Sequence, residues 1–341
     1  MRLRTVLATL TAGLAAATCL TAAGPASANS VQGNACSPAV SIDRFSDVLD
    51  KTTYQGTVVG NFSALAVDRD GSLAALEDRS VLFGLDPKSL QPTSAVPLAD
   101  ERGAVLDSEG LVIDRDGTRL ISSETEPSVR RYSWDGKILD RLPVPSSLLA
   151  APAGRATRNQ TFEGLTLLPG SHTLLASMEG ALSGDSGDIV RFQTWTRHHG
   201  GFRLAAQYAY RTDAGLGVPE VQATPDGRLL VLERGFTAGV GNTVRLYLAD
   251  PRHATDTSGI ENLTGRPGVR LIKKTLLADI ATCPSLGATA KQPQPNPLLD
   301  NIEGMTITGR DHTGRLRVLL VSDDNENKAQ TTRFYYLRVR V

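Results

Sequence analysis

The chain predicts an all-β fold, a β-propeller of about six four-stranded blades, with seven as the alternative count. Three observations lead there: a hairpin unit that recurs, a spacing between copies close to one blade, and scarce helical periodicity beyond the first 28 residues. The clearest copy runs from Asp107 to Glu124 and an earlier one from Asn61 to Asp78. Each is a short apolar strand, an Asp-Arg-Asp-Gly turn and a second apolar strand, the signature of a β-hairpin. Further copies begin at Thr161, Val218 and Asp300. Their opening positions Ser63, Glu109, Glu163, Glu220 and Glu303 lie 46, 54, 57 and 83 residues apart. The first three intervals each fit one blade. The last is too long, and its strand-like stretches at 243–249 and 269–277 predict a further, degenerate blade. The alternating C-terminal stretch 333–341 is expected to complete a blade begun by the N-terminal segment, because closing the ring removes exposed sheet edges. Segments 143–159 and 283–297, rich in Pro and in small or polar residues, read as surface excursions, so 29–341 reads as one domain.

The N-terminus predicts export. Arg2 and Arg4 precede an apolar stretch from Val6 to Ala23, and Ala26-Ser27-Ala28 supplies a small-x-small cleavage site, so residues 1–28 read as a signal peptide. That stretch is short and rich in Ala and Thr for a membrane span, and no other apolar run reaches spanning length. The expectation is a secreted, extracellular, soluble monomer. The whole chain carries 36 basic and 36 acidic residues, and without Arg2 and Arg4 the balance is 34 against 36. Nothing in that balance suits nucleic acid or an anionic membrane. Beyond the leader only Cys36 and Cys283 remain, which in an oxidising compartment predicts one disulfide.

A second acid at the far end of each hairpin carries the chemistry. With a two-residue turn at Asp116-Gly117, Glu109 faces Glu124; the same turn at Asp226-Gly227 sets Glu220 against Glu233, and at Asp70-Gly71 sets Ser63 against Asp78. Glu163 with Glu179 and Glu303 with Asp323 are analogous pairs across longer turns. In a propeller the first strand of a blade starts at the face where the second ends, so these groups are expected to converge at the mouth of the central channel. Gly110, Gly164 and Gly304, each after its Glu, suit close backbone approach there. Like charges set opposite one another are unfavourable, and three remedies are open: raised carboxyl pKa values, arginines or a cation. Arg79, Arg130, Arg131, Arg158 and Arg234 pair with the acids, or a cation sits among them. Oxygen-only donors suit Ca²⁺ best and Mg²⁺ less well. On the cation reading Glu109, Glu163, Glu220 and Glu303 are the preferred ligands. Glu124, Glu179, Glu233 and Asp323 then complete the coordination or act as base, and Arg234 holds a substrate oxyanion.

The segments Phe162-Glu163-Gly164-Leu165, Leu232-Glu233-Arg234-Gly235, Asp300-Asn301-Ile302-Glu303-Gly304-Met305 and Val321-Ser322-Asp323-Asp324-Asn325 resemble the phytase-like family, also named for an esterase-like activity of phytase. The resemblance runs from about Gly60 to the C-terminus. It implies an exported propeller that hydrolyses phosphate or other esters of a small-molecule substrate. A non-catalytic ligand-binding propeller and a lactonase-type enzyme are the alternatives.

Other hydrolytic chemistries find no support. Gly184-Asp185-Ser186-Gly187-Asp188 lacks the last glycine of a serine nucleophile elbow and reads as a turn. Arg197-His198-His199-Gly200 is split by a second His from a phosphatase motif and reads as a hairpin loop. The remaining His172, His253 and His312 have no metal-ligand spacing. Trp134 and Trp195 are expected to pack within blades.

Overall fold

Strands assort into five four-stranded antiparallel sheets and one small hairpin in the computed structural model, which describes residues 31–341 except 266. The signal peptide expected over residues 1–28 lies outside the described residues. Blade 1 comprises Phe62–Val67, Leu73–Glu77, Val81–Leu85 and Pro92–Pro97; blade 2 comprises Ser108–Ile113, Arg119–Ser123, Ser128–Tyr132 and Ile138–Arg141. Blade 3 follows with Phe162–Leu167, Thr173–Met178, Ile189–His198 and Gly201–Arg211. Blade 4 has Gly217–Ala223, Leu229–Thr237, Gly241–Asp250 and Lys273–Asp279. In blade 5, Ile302–Arg310, Leu316–Ser322 and Phe334–Val339 are joined on the outside by the N-terminal strand Val40–Ser46. The first strands of successive blades pack side by side from blade 1 to blade 5 and back to blade 1, which closes the ring.

The blade count is therefore five, not the six that the spacing predicts. The stretches at 243–249 and 269–277 are the third and fourth strands of blade 4, paired to each other and to Leu229–Thr237. The long interval is filled by connections at 251–272 and 283–301 rather than by a further blade. Ring closure follows the expected route: Val40 pairs with Val339 and Ser46 with Phe334.

Each gap between blades has its own apolar core, because alternate residues of a strand face opposite neighbours. In blade 4, Leu229 and Val231 pack toward blade 3 with Phe192 and Tyr210, whereas Leu230 and Leu232 pack toward blade 5 with Ile302 and Tyr335. Phe62 seals blade 1 to blade 5 through edge-on contacts with Phe83 and Phe334, at centroid distances of 5.9 and 6.0 Å. Trp195 is buried between blades 2 and 3 and donates its indole N–H to the Pro143 carbonyl at 2.7 Å. Trp134 does not pack as expected. It lies exposed next to the tight turn Ser133–Lys137. Arg197 ends in a strand and binds the Asp114 carboxylate at 2.7 Å, so its segment is a hairpin as predicted.

Cys36 and Cys283 form a disulfide across 247 residues, within the apolar cluster that holds Ile42, Leu246 and Leu337. It ties the segment entering the outer strand of blade 5 to the segment leaving blade 4, so it staples the ring beside its closing seam. A cross-link over so long a loop restricts the unfolded chain by about 3–5 kcal/mol. Cys283→Ser should lower the unfolding free energy in urea by about that amount; a midpoint unchanged from that of the oxidised parent would contradict this role.

Candidate functional site

The hairpin turns set where each acid ends up. Around Gly117 the Asp114 N–H donates to the Thr118 carbonyl at 2.8 Å and the Gly117 N–H donates to the Asp114 carbonyl at 2.9 Å. Arg115-Asp116-Gly117 is thus a three-residue loop, and Gly117 at φ +86° takes its left-handed position. The same closure joins Asp68 to Ser72 and Thr224 to Arg228. One residue more than a two-residue turn shifts the pairing by one place. A bulge then interrupts every first strand at its opening residue: between Phe62 and Ala64, Ser108 and Leu111, Phe162 and Leu165, Gly217 and Glu220, and Ile302 and Gly304. Bulges re-aim side chains beside functional sites.

The acids consequently meet in a different way from that predicted. Glu124 donates its backbone N–H to the Asp107 carbonyl at 2.9 Å, Glu179 to Thr161 at 2.8 Å, and Asp323 to Asn301 at 2.9 Å. Each closing acid faces the residue two places before the opening acid, and the bulge leaves the opening acid free to point into the channel mouth. In blades 2 and 3 the neighbouring first strand approaches so closely that a side chain is barred at the next position. A Cβ on Gly110 would lie 2.4 Å from the Glu163 carbonyl oxygen, and one on Gly164 would lie 2.5 Å from the Val221 nitrogen.

Glu109, Glu163, Glu303, Glu124, Glu179, Asp323 and Arg234 all line one cavity of about 520 Å³ at this mouth, together with Ser63, Asp78 and Asp107. Two predicted residues do not. Blade 4 is offset by one place: Glu220 pairs with Leu232, two residues before Arg234, just as Ala64 pairs with Leu76 two before Asp78 and Gly304 with Val321 two before Asp323. Glu220 therefore occupies the glycine position, fully buried, where its carboxylate accepts the Val221 N–H at 2.8 Å. Burial pushes its carboxyl well above the usual range, against the pull of backbone N–H groups from Val221, Leu165 and Met305 in three different blades. Glu233 points away from the cavity. It accepts from Tyr210 Oη at 2.6 Å, the Asp213 N–H at 2.7 Å and Lys274 Nζ at 2.5 Å. Arg234 takes the place of the closing acid.

The cavity is acidic with one cationic side chain. Arg234 reaches Glu303 Oε1 at 2.9 Å and Glu179 Oε1 at 3.3 Å. Its burial works against the charge, but Glu303, Glu179 and Glu163 more than offset that and hold it firmly protonated. The other arginines expected as partners lie elsewhere: Arg79 pairs with Glu326, Arg130 with Glu101 and Glu126, and Arg131 with Asp116, while Arg158 is exposed outside the cavity lining. Burial, reinforced by neighbouring carboxylates, raises Glu109 and Glu163 well above 4.5. It pushes Glu124 to about 7 and Asp78 to about 6. Asp323 is raised by burial and by Glu303, while its Oδ1 accepts the Asn325 N–H at 2.7 Å and its Oδ2 the Asn301 side chain at 3.2 Å.

Two carboxylate triads stand out. Asp107, Glu109 and Glu124 each offer one oxygen, all within 4.8 Å of one another, and so do Glu124, Glu163 and Glu179. Ligands about 2.4 Å from a common Ca²⁺ are at most about 4.8 Å apart, so both triads fit its all-oxygen preference. Glu303 belongs to neither, being held by Arg234 and by the Asn301 amide at 2.9 Å. Asp107 is the residue that sequence reasoning missed. Its signal was the i, i+2 spacing to Glu109, which puts both on one face of an extended segment.

A family model described as phytase-like, "Esterase-like activity of phytase", matches residues 57–326. An uncharacterized secreted protein of Arthroderma benhamiae is 28% identical over 124 residues, covering 29% of this chain and 24% of that protein. The match thus spans about a quarter of the length of that curated relative. Among solved structures, a gluconolactonase from Xanthomonas campestris is similar at 15% identity and a TM-score of 0.43, over 82% of this chain and 73% of that one. The glutaminyl cyclase of Myxococcus xanthus is similar at 12% identity and a TM-score of 0.44, over 89% and 97%. Among the described residues no helix is long and apolar enough to cross a membrane.

Carboxyls raised in the folded state stabilise it below their unfolded values near 4, and that contribution is lost as pH climbs through about 6 for Asp78, 7 for Glu124 and 8 for Glu77. The melting temperature of chelator-stripped protein should therefore fall from about pH 5 to about pH 8, and Ca²⁺ at the higher pH should restore it. A melting temperature that rises over that range without added cation would contradict the assignment.

Proposed function

The chain belongs to the phytase-like family, and we propose that it is a secreted hydrolase of phosphate or related esters that works with a divalent cation in the acidic cavity at the channel mouth. The observation that carries this reading is the convergence of eight carboxylates and one arginine on a single open cavity. So many like charges are tolerable only when protonated or neutralised, and a cation does the latter at neutral pH. Ca²⁺ suits the donors best, because Mg²⁺ demands a near-ideal octahedron and keeps its waters. A cation would be held by Asp107, Glu109 and Glu124, or by Glu124, Glu163 and Glu179. When bound, it would polarise a phosphoryl or carbonyl oxygen of the substrate. Arg234 would hold the developing oxyanion, and Glu303 positions that guanidinium. Asp323, proton-loving through burial and fixed by Asn301 and Asn325, would take the proton of an attacking water. The Cys36–Cys283 disulfide and the secreted relative support action outside the cell.

A second reading has its own support. The cavity rim carries amides from Asn159, Asn242, Gln292, Asn327 and Gln330, beside the exposed ring of Phe236. Amides and an aromatic face also suit capture of a polyhydroxylated ligand without turnover.

Hydrolysis of p-nitrophenyl phosphate and of a panel of carboxyl esters and lactones, with and without chelator, separates the two. The hydrolase reading expects chelator-sensitive turnover, and a loss of about 10²–10³-fold in kcat/KM for Arg234→Ala. Absence of chelator-sensitive turnover across the panel would overturn it in favour of the binding propeller.

A further inference from the structure

We propose that the cavity binds two divalent cations side by side, bridged by Glu124, one completed by Asp107 and Glu109 and the other by Glu163 and Glu179. This deepens the reading of the mouth as a cation site and rests on it. Glu124 is the one residue common to both triads. It sits at the seam between blades 2 and 3, where its carbonyl accepts the Thr161 hydroxyl at 2.6 Å, so its backbone is held between the two sets of ligands. Glu124 lines the cavity at 4% relative exposure, yet its Oε1 has no hydrogen-bond donor among the described residues, and its carboxyl lies against that of Glu163. The Ser63 hydroxyl, 3% exposed on the same cavity wall, is likewise without a partner. Buried polar oxygens are rarely left so unless something absent from the protein itself binds them.

Charge decides between one cation and two. The five ligand carboxylates, all ionised, would stand at −3 with one divalent cation and at −1 with two. Arg234 does not relieve them fully, because its guanidinium is shared between Glu179 and Glu303. Three protein oxygens per cation also leave Ca²⁺ about half of its six to eight positions for solvent and substrate. Paired cations suit the gripping of two oxygens of one phosphoryl group, so the favoured substrate class is a phosphoester rather than a lactone.

Calorimetric titration of the chelator-stripped mature chain with Ca²⁺, repeated with Tb³⁺ luminescence as a second readout, tests this. Two cations per chain are expected. Asp107→Asn and Glu179→Gln should each leave one, and Glu124→Gln should weaken both by at least about tenfold. These substitutions remove like charges and should not lower the metal-free melting temperature; if one does unfold the protein, the stoichiometry of the unaltered chain decides alone. A single cation per chain, or one site spared by Glu124→Gln, would overturn the proposal. Two cations with no turnover would overturn the hydrolase reading and leave the paired site standing, whereas one cation with chelator-sensitive turnover would do the reverse.

Discussion

Five first strands crowd around one axis, and the rest of the molecule follows from how closely they approach. At Gly110 and Gly164 the neighbouring backbone comes within 2.4 to 2.5 Å of where a Cβ would stand, so a ring this tight is built only where side chains are absent or buried deep. The bulge in each first strand sits next to that contact and frees one residue per blade from the regular ladder. Those residues have one outlet, the channel mouth. A ring of polar side chains at the mouth is thus a result of strand packing, and the chain has made most of them carboxylates.

Blade 4 shows what happens when the pattern slips by one residue. Glu220 falls on the crowded position, and its carboxylate binds the backbone N–H groups of Val221, Leu165 and Met305 instead of facing the cavity. Arg234 then arrives where the other blades place an acid, and among the described residues it supplies the one positive charge lining the cavity. The asymmetry separates two regions: an arginine-held side with Glu303 and Asp323, and a side formed by blades 2 and 3 where five carboxylates face one another and Arg234 reaches only Glu179 among them, at 3.3 Å. On the proposed function, substrate would be positioned on one side and a cation on the other.

Much of this was legible in the residues. The hairpin unit, the closure of the N-terminal and C-terminal strands, the disulfide and nine of the cavity residues follow from pattern and residue type alone. Three things did not. The number of blades depends on how strands pair, and the segments at 243–249 and 269–277 have the same alternation whether they found a new blade or finish an old one. Register depends on a single turn residue: Asp-Arg-Asp-Gly reads equally as a two-residue turn or a three-residue loop, and where it occurs the difference shifts the pairing by one place before the bulge shifts it again. The bulges have no strong sequence signature beyond the glycine itself, so Asp107 could not be seen facing Glu124, nor Glu233 turning toward Tyr210 and Lys274.

The central claim is that packing forces these carboxyls together whether or not anything neutralises them. Carbon-detected NMR titration of glutamate side chains in the chelator-stripped protein reads this most directly. The account predicts a Glu124 carboxyl that titrates near 7, with Glu109 and Glu163 displaced upward as well. Midpoints at the ordinary 4.5 for all three would contradict it, for they would mean solvated acids that never meet.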